Sequence, residues 1–153
     1  MLTCAKRMRN GVPVGATITT AELADKFQGL TIATFGGNPV TSVAARAVIE
    51  VIEEEKLVEN AARVGAYFVS ELQRLQDQFP TLVSSVRGRG LMAAFDLPDG
   101  TTRDKALKAF MANDVMVLAS GSRSARFRPA LNLSMDEAAE GIKRMERALK
   151  ELA

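Results

Sequence analysis

The sequence predicts an α/β fold in which helices cover one side of a small, mostly antiparallel sheet. Two patterns support this prediction. Apolar residues recur at three- and four-residue spacing in two long stretches, 40–55 and 58–78, which indicates amphipathic helices. Short apolar runs bounded by glycine or proline follow over residues 82–152 and alternate with two further helical stretches, which indicates strands and helices packed in layers.

Residues 1–39 are expected to form short strands and loops, because glycine and proline interrupt their apolar runs. Thr19 to Glu22 has the spacing of a capping box, in which a threonine oxygen accepts a backbone N–H and the glutamate reaches back. A short helix over about residues 20–27 is predicted from this spacing.

Two long helices are predicted next. Pro39 suits the first turn of a helix, and the periodicity that follows predicts that this helix ends near Glu55. A second helix is predicted over residues 58–78, where Phe79-Pro80 stops it. The apolar residues of the second helix fall on one face: Ala61, Val64, Phe68, Leu72 and Leu75.

The remaining residues predict strands and two more helices. Two apolar runs around Arg87-Gly88-Arg89-Gly90 predict two strands and a tight turn, a better interpretation than a nucleic-acid-binding tract because the Arg-Gly pattern occurs once. Asp99-Gly100 predicts another turn. The later predictions are, in order, a helix over Asp104–Ala112, a strand over Val115–Leu118, an extended segment over Ala125–Leu133, and a helix from a capping box at Ser134–Glu137 to about Leu152.

Composition excludes several classes of function. The chain has 153 residues and a net charge of +2 from 20 basic and 18 acidic residues, without a basic block, which argues against nucleic-acid binding. No apolar run approaches the roughly 20 residues of a membrane span, and no signal peptide is evident, so we expect no membrane association and a cytoplasmic location. With Cys4 as the only cysteine and no histidine, no metal site is predicted.

Two segments near the start are candidates for cofactor binding. Lys6 precedes a glycine- and proline-rich turn that could hold it as an amine nucleophile toward a carbonyl cofactor, although a solvated surface lysine is the commoner interpretation. In Thr34-Phe35-Gly36-Gly37-Asn38-Pro39 a hydroxyl, close-approach glycines and a helix N-terminus could together bind a phosphate. Glycines often precede helices, so this pattern alone is weak.

A third candidate lies in the extended segment near the end of the chain. Alternation there places Arg126 and Arg128 on one face and Phe127 on the other. One of these arginines could bind a carboxylate through two parallel hydrogen bonds. A charged strand face without a ligand is the alternative, and composition alone favours it.

Taken together, five segments resemble the class III, or ornithine/4-aminobutyrate-type, aminotransferases of fold type I. The motifs are AKRMRNGVPVGA, ATFGGNP, VIEEEKLVENAARVGAYFVSEL, VRGRGLMAAF and RFRPAL. They occur in the family's order and cover nearly the whole chain. The short connection between Phe95 and Val115 and the ending after Arg128 look most like lysine 6-aminotransferases.

The resemblance implies roles for individual residues. It implies that Lys6 binds pyridoxal 5′-phosphate covalently and later moves a proton, and that Thr34 binds the cofactor phosphate of the neighbouring subunit. It further implies that Arg126 binds the substrate carboxylate, with Arg128 the weaker candidate. Ala130 departs from the family, which usually has a second proline at this position.

The resemblance also implies a domain organisation. Residues 1–39 would be the remnant of the large cofactor domain, residues 40–57 a connecting helix, and residues 58–153 the C-terminal small domain. We expect that the family's glycine-rich phosphate loop, its ring-stacking aromatic and its acidic partner of the ring nitrogen are missing, since these lie upstream of the lysine. Catalysis by this chain alone is therefore not expected.

Two functions follow as hypotheses. In the first, the protein transfers an amino group from an ω-amino or diamino acid, lysine-like in shape, to a 2-oxo acid, as a homodimer or higher homo-oligomer. In the second, the chain is a non-catalytic, self-associating domain whose helices leave an apolar patch uncovered.

Overall fold

The computed structural model describes residues 1–5, 10–29 and 32–153. The chain divides into two compact units, Met1–Lys56 and Leu57–Ala153, and each is described by itself. No helix within the three described ranges combines the length and the apolar character that a bilayer span requires.

The described residues of the first unit form a two-stranded antiparallel sheet and two helices. Strands β1 (Leu2–Cys4) and β2 (Ala16–Ile18) pair along their whole length. Helix α1 spans Ala21–Asp25, and helix α2 spans Pro39–Glu54 as predicted. No residue of α2 is buried, and Val40 and Val43 on its apolar stripe are 72% and 66% exposed. The other described residues of this unit therefore do not cover the apolar stripe of α2.

The capping box predicted at the start of α1 is wrong. The N-cap of this helix is Thr20, whose side chain makes no capping hydrogen bond. Glu22, which was expected to reach back, instead forms an i,i+4 ion pair with Lys26 at 3.0 Å. Both side chains of this pair are exposed, so the pair adds only a few tenths of a kcal/mol to the helix.

The second unit is an α/β layer with one four-stranded antiparallel sheet, in the order β3-β4-β6-β5. Its elements are α3 (Leu57–Gln78), β3 (Ser84–Arg89), β4 (Met92–Asp96), α4 (Gly100–Ala112), β5 (Leu118–Ser120), β6 (Ser124–Phe127) and α5 (Met135–Lys150). The fold class predicted from the sequence is confirmed, as are the second long helix, the β3–β4 hairpin and the capping box at Ser134.

The core of this unit lies between one face of the sheet and the three helices. The predicted face of α3 packs into it, with Val64, Leu72 and Leu75 fully buried. Phe95 from β4 and Phe127 from β6 meet at 5.5 Å between ring centroids, in the range preferred by aromatic pairs. The sheet residues that alternate with these phenylalanines face away from the core.

Helix α3 crosses the β3–β4 turn at very short range because both sides lack a side chain. A Cβ on Gly65 would lie 2.2 Å from the carbonyl carbon and oxygen of Gly90. Gly90 itself has φ of +55°, a conformation that favours glycine. The glycines of the Arg-Gly repeat therefore serve helix packing and a tight turn.

Three element boundaries differ from prediction. Helix α4 begins at Gly100 rather than Asp104, because Asp99 is an N-cap whose carboxylate accepts from Thr102 N at 2.7 Å. Strand β5 begins at Leu118, since Val115 N donates to Phe110 O at the end of α4 instead of joining the sheet. Strand β6 ends at Phe127, before Pro129, which has no N–H to give to a ladder.

Candidate functional site

The three predicted site residues are distributed over the chain. Lys6 lies outside the described residues. Thr34 belongs to the first unit and Arg126 to the second, so the geometry of each is described within its own unit.

Thr34 opens a turn that runs to Gly37, directly before α2. Gly37 has φ of +68°, a left-handed backbone conformation that favours glycine. The Thr34 side chain is exposed, and its hydroxyl has no hydrogen-bond partner among the described residues. The hydroxyl is therefore available to donate a hydrogen bond to an external acceptor such as a phosphate oxygen.

The N-terminus of α2 does not supply the phosphate donors that the sequence predicted. Asn38 caps the helix, and its Oδ1 accepts from Val40 N at 3.0 Å and from Thr41 N at 3.3 Å. Ser42 N donates to the Asn38 carbonyl, and Pro39 has no N–H. The first-turn donors are thus already used, and only the Thr34 turn and the partial positive charge of the helix end could attract an anion.

Arg126 lies on β6 in the middle of the sheet, flanked by Ala94 of β4 and Leu118 of β5. Its neighbours Ala125 and Phe127 are buried in the core, so Arg126 is on the opposite, open face of the sheet. Its Nε is buried but makes no hydrogen bond to any residue that the structure describes. A buried, unpaired guanidinium N–H costs free energy, which a ligand carboxylate would recover.

An ionic cluster that the sequence did not reveal lies beside Arg126 on the open face. Asp96 Oδ1 accepts from Ser124 Oγ at 2.6 Å and from Arg87 Nη1 at 3.0 Å, and Asp96 Oδ2 lies 3.6 Å from Arg123 Nε. The Ser124 hydrogen bond is the main cause that holds the pKa of Asp96 below its usual value, and the two guanidinium groups add to it. Asp96 is therefore ionised at neutral pH.

Register explains why sequence reasoning missed this cluster. Asp96 pairs directly with Ser124 across β4 and β6, while β3 brings Arg87 to the other side of β4. These residues are up to 37 positions apart in the chain, as in the 3.1 Å contact between Arg87 Nη2 and Ser124 Oγ. The available signal was their alternation with buried residues, which fixes their face but not their partners.

Strand β6 ends between the two candidate arginines. Arg128 follows the end of β6 and is exposed. Farther on, Asn60 of α3 fixes the loop by donating from Nδ2 to the carbonyls of Leu131 and Leu133, at 2.9 and 3.0 Å. Arg126 is thus held within the sheet, whereas Arg128 is not.

Comparison with known proteins gives consistent matches. The family described as Aminotransferase class-III matches residues 1–149. The mitochondrial acetylornithine aminotransferase of Yarrowia lipolytica is 30% identical over 154 residues, which is 100% of this chain and 37% of that protein. The L-lysine-epsilon aminotransferase of Mycobacterium bovis is 41% identical over 116 residues, which is 76% of this chain and 26% of that protein.

A solved structure shows the same arrangement of elements. A PLP-bound amine transaminase from an uncultivated Pseudomonas species superposes with a TM-score of 0.87 and 30% identity, over 99% of this chain and 38% of that one. The chain thus spans 37% and 26% of the lengths of the two curated relatives named above.

Proposed function

The chain belongs to the class III aminotransferase family, and from this premise we propose that its protein transfers an amino group from an ω-amino or diamino acid, lysine-like in shape, to a 2-oxo acid. The observation that supports the proposal most is the buried Nε of Arg126, which has no hydrogen-bond partner among the described residues, at the position that the resemblance matches to a carboxylate-binding arginine. Both the amino acid and the 2-oxo acid carry the carboxylate that this group would bind.

Pyridoxal 5′-phosphate, when bound, supplies the electron sink that amino transfer requires. In the proposal, the amine of Lys6 binds the cofactor and then carries the proton to and from the reacting carbon of the substrate. The Thr34 hydroxyl binds the cofactor phosphate of a neighbouring subunit, and its exposure and its lack of a partner within the described ranges support this role. Arg126 orients the substrate by its carboxylate.

The same proposal covers the organisation of the protein. Residues 1–39 belong to the cofactor domain, residues 40–57 connect, and residues 58–153 form the small domain. The division of the chain into compact units after Lys56 supports the start of the small domain near residue 58. A homodimer and a cytoplasmic location are parts of the proposal that sedimentation and cell fractionation test.

The test of the activity uses a chimera. The part of the Yarrowia lipolytica relative that precedes its match is joined to this chain, which the match covers completely. The formation of glutamate from 2-oxoglutarate is measured with L-lysine, L-ornithine or N-acetylornithine as the amino donor. We expect transfer from at least one donor, and no transfer by the Lys6→Ala variant.

Two further variants separate carboxylate binding from folding. Arg126→Ala is expected to lower kcat/KM by about 100-fold, the effect of losing a charge-assisted pair. Arg126→Lys keeps the charge but loses the second hydrogen bond, so an intermediate loss is expected. A folded chimera that transfers no amino group, or an Arg126→Ala variant as active as its parent, would refute the proposal.

A second candidate function is a non-catalytic, self-associating domain. The observation that favours it is the uncovered apolar stripe of α2, where Val40 and Val43 are mostly exposed. This function predicts concentration-dependent sedimentation that a Val43→Lys variant abolishes. It also predicts an inactive chimera, which distinguishes it from the first proposal.

A further inference from the structure

The open face of the sheet places a carboxylate and the candidate substrate arginine next to each other. Arg126 pairs with Ala94, and Asp96, two residues along β4 on the same face, pairs with Ser124. Such diagonal neighbours lie about 7–8 Å apart, within reach of a long side chain. An ion pair between Asp96 and Arg126 is therefore the contact that sheet geometry alone would suggest.

The structure shows other pairings instead. The Asp96 carboxylate is bonded to Ser124 at 2.6 Å and to Arg87 at 3.0 Å, and lies near Arg123 at 3.6 Å. Among the described residues, no acidic group forms an ion pair with Arg126, and its buried Nε stays unpaired. One oxygen of Asp96 thus receives both a hydroxyl and a guanidinium donor, and the other lies near Arg123, so both oxygens already have partners other than Arg126.

We propose that Ser124 is a positioning residue: together with Arg87 and Arg123 it occupies the Asp96 carboxylate, so that the Arg126 guanidinium remains available to a substrate carboxylate. This inference rests on the proposed carboxylate-binding role of Arg126. Without the short hydroxyl bond, the Asp96 carboxylate keeps only its guanidinium partners, and at this distance from Arg126 it becomes an intramolecular competitor for the Arg126 N–H groups. If the loss of the Ser124 hydrogen bond left the contacts of Arg126 unchanged, Ser124 would stabilise the sheet without positioning Asp96.

The test observes Arg126 directly by NMR of the arginine Nε–H groups in the full chain, with the Arg126 resonance assigned from an Arg126→Lys variant. In ligand-free Ser124→Ala we expect the Arg126 resonance to shift, because its N–H gains Asp96 as acceptor. Ser124→Thr keeps the hydroxyl and should leave the resonance in place. An unshifted resonance in a folded Ser124→Ala variant overturns the inference.

Asp96→Asn gives an independent arm that does not require Ser124→Ala to fold. Because Asp96 is not the partner of Arg126, this change should leave the Arg126 resonance nearly unmoved. A large shift would mean that the two side chains already pair in solution, which overturns the inference.

Titration with glutarate separates this inference from the proposed function. Glutarate should shift the Arg126 resonance of the unaltered chain, bind on the order of tenfold more weakly to Ser124→Ala, and bind normally to Ser124→Ala/Asp96→Asn. Normal binding to Ser124→Ala contradicts the positioning role alone. If glutarate leaves the unaltered chain unchanged while ligand-free Ser124→Ala still shifts, the carboxylate-binding role fails and the competing contact stands.

Discussion

Glu146 joins helix α5 to helix α3, and its charge should make a measurable contribution to stability. Its carboxylate binds Lys150 at 2.7 Å, Arg74 at 3.0 Å and the Gln78 amide at 3.2 Å, while its side chain is 21% exposed. These hydrogen bonds, the one from Lys150 first, lower its pKa from 4.5 to about 2. A shift of this size corresponds to at most about 3.4 kcal/mol, which solvent screening of the exposed partners reduces to about 1–2 kcal/mol.

The perturbation is Glu146→Gln, which keeps the shape of the side chain and removes its charge. We expect a loss of about 1–2 kcal/mol in the free energy of unfolding at pH 7, measured by urea titration with Tyr67 of α3 as the fluorescent reporter. A carboxylate with a lowered folded-state pKa contributes stability above its unfolded pKa and loses it as the pH falls toward the folded value. The difference should therefore shrink to about a quarter at pH 2.5.

The matched control is Glu140→Gln, which removes the charge of another carboxylate on α5. Glu140 is 50% exposed and pairs with Arg144 of the same helix at 2.9 Å. An exposed i,i+4 pair contributes little to stability because water screens it, so a much smaller loss is expected for Glu140→Gln than for Glu146→Gln. Equal effects of the two substitutions at pH 7, or a Glu146→Gln effect that does not change with pH, would refute the reasoning.

Two other predictions concern stability. Gly65→Ala should destabilise the second unit by about 1–3 kcal/mol or more, since its Cβ would lie 2.2 Å from the Gly90 backbone, whereas Gly141→Ala has nothing within 4 Å and should stabilise α5 by about 0.5–1 kcal/mol. Thermal unfolding by circular dichroism measures both, and equal melting temperatures would contradict the close approach. Ser134→Ala should cost about 1 kcal/mol by removing the capping box, while Ser70→Ala in α3 should be neutral or slightly stabilising. Urea unfolding compares the free energies of unfolding of the two variants. A Ser134→Ala variant as stable as the unaltered chain would contradict the stabilising role of the cap.

The parts of the fold that local pattern determines were predicted from the sequence. The spacing of Val64, Phe68 and Leu72 places one stripe of α3 in the core, and burial confirms it. The box at Ser134 was also predicted, but the similar pattern at Thr19 was wrong. Glu137 binds the N–H and the hydroxyl of its N-cap, whereas Glu22 binds Lys26 one turn away and the N-cap of α1 is Thr20 rather than Thr19.

The candidate site was predictable only in part, because a local pattern determines the face on which a residue lies but not its partners on other strands. Alternation along β6 correctly predicted that Phe127 lies in the core and Arg126 outside it. The pairing of Asp96 with Ser124 depends on the register between β4 and β6, which no local pattern specifies. The roles of Lys6, Thr34 and Arg126 came from the family resemblance and remain predictions.

The central claim is that this chain supplies the cofactor-binding lysine of a class III aminotransferase, and covalent labelling tests it most directly. The chimera is incubated with pyridoxal phosphate, reduced with borohydride and mapped by peptide mass spectrometry. The account predicts about one pyridoxyl group per chain, on Lys6, and its loss in Lys6→Ala. Labelling scattered over other lysines of a folded chimera, with Lys6 no more modified than Lys26, would contradict it.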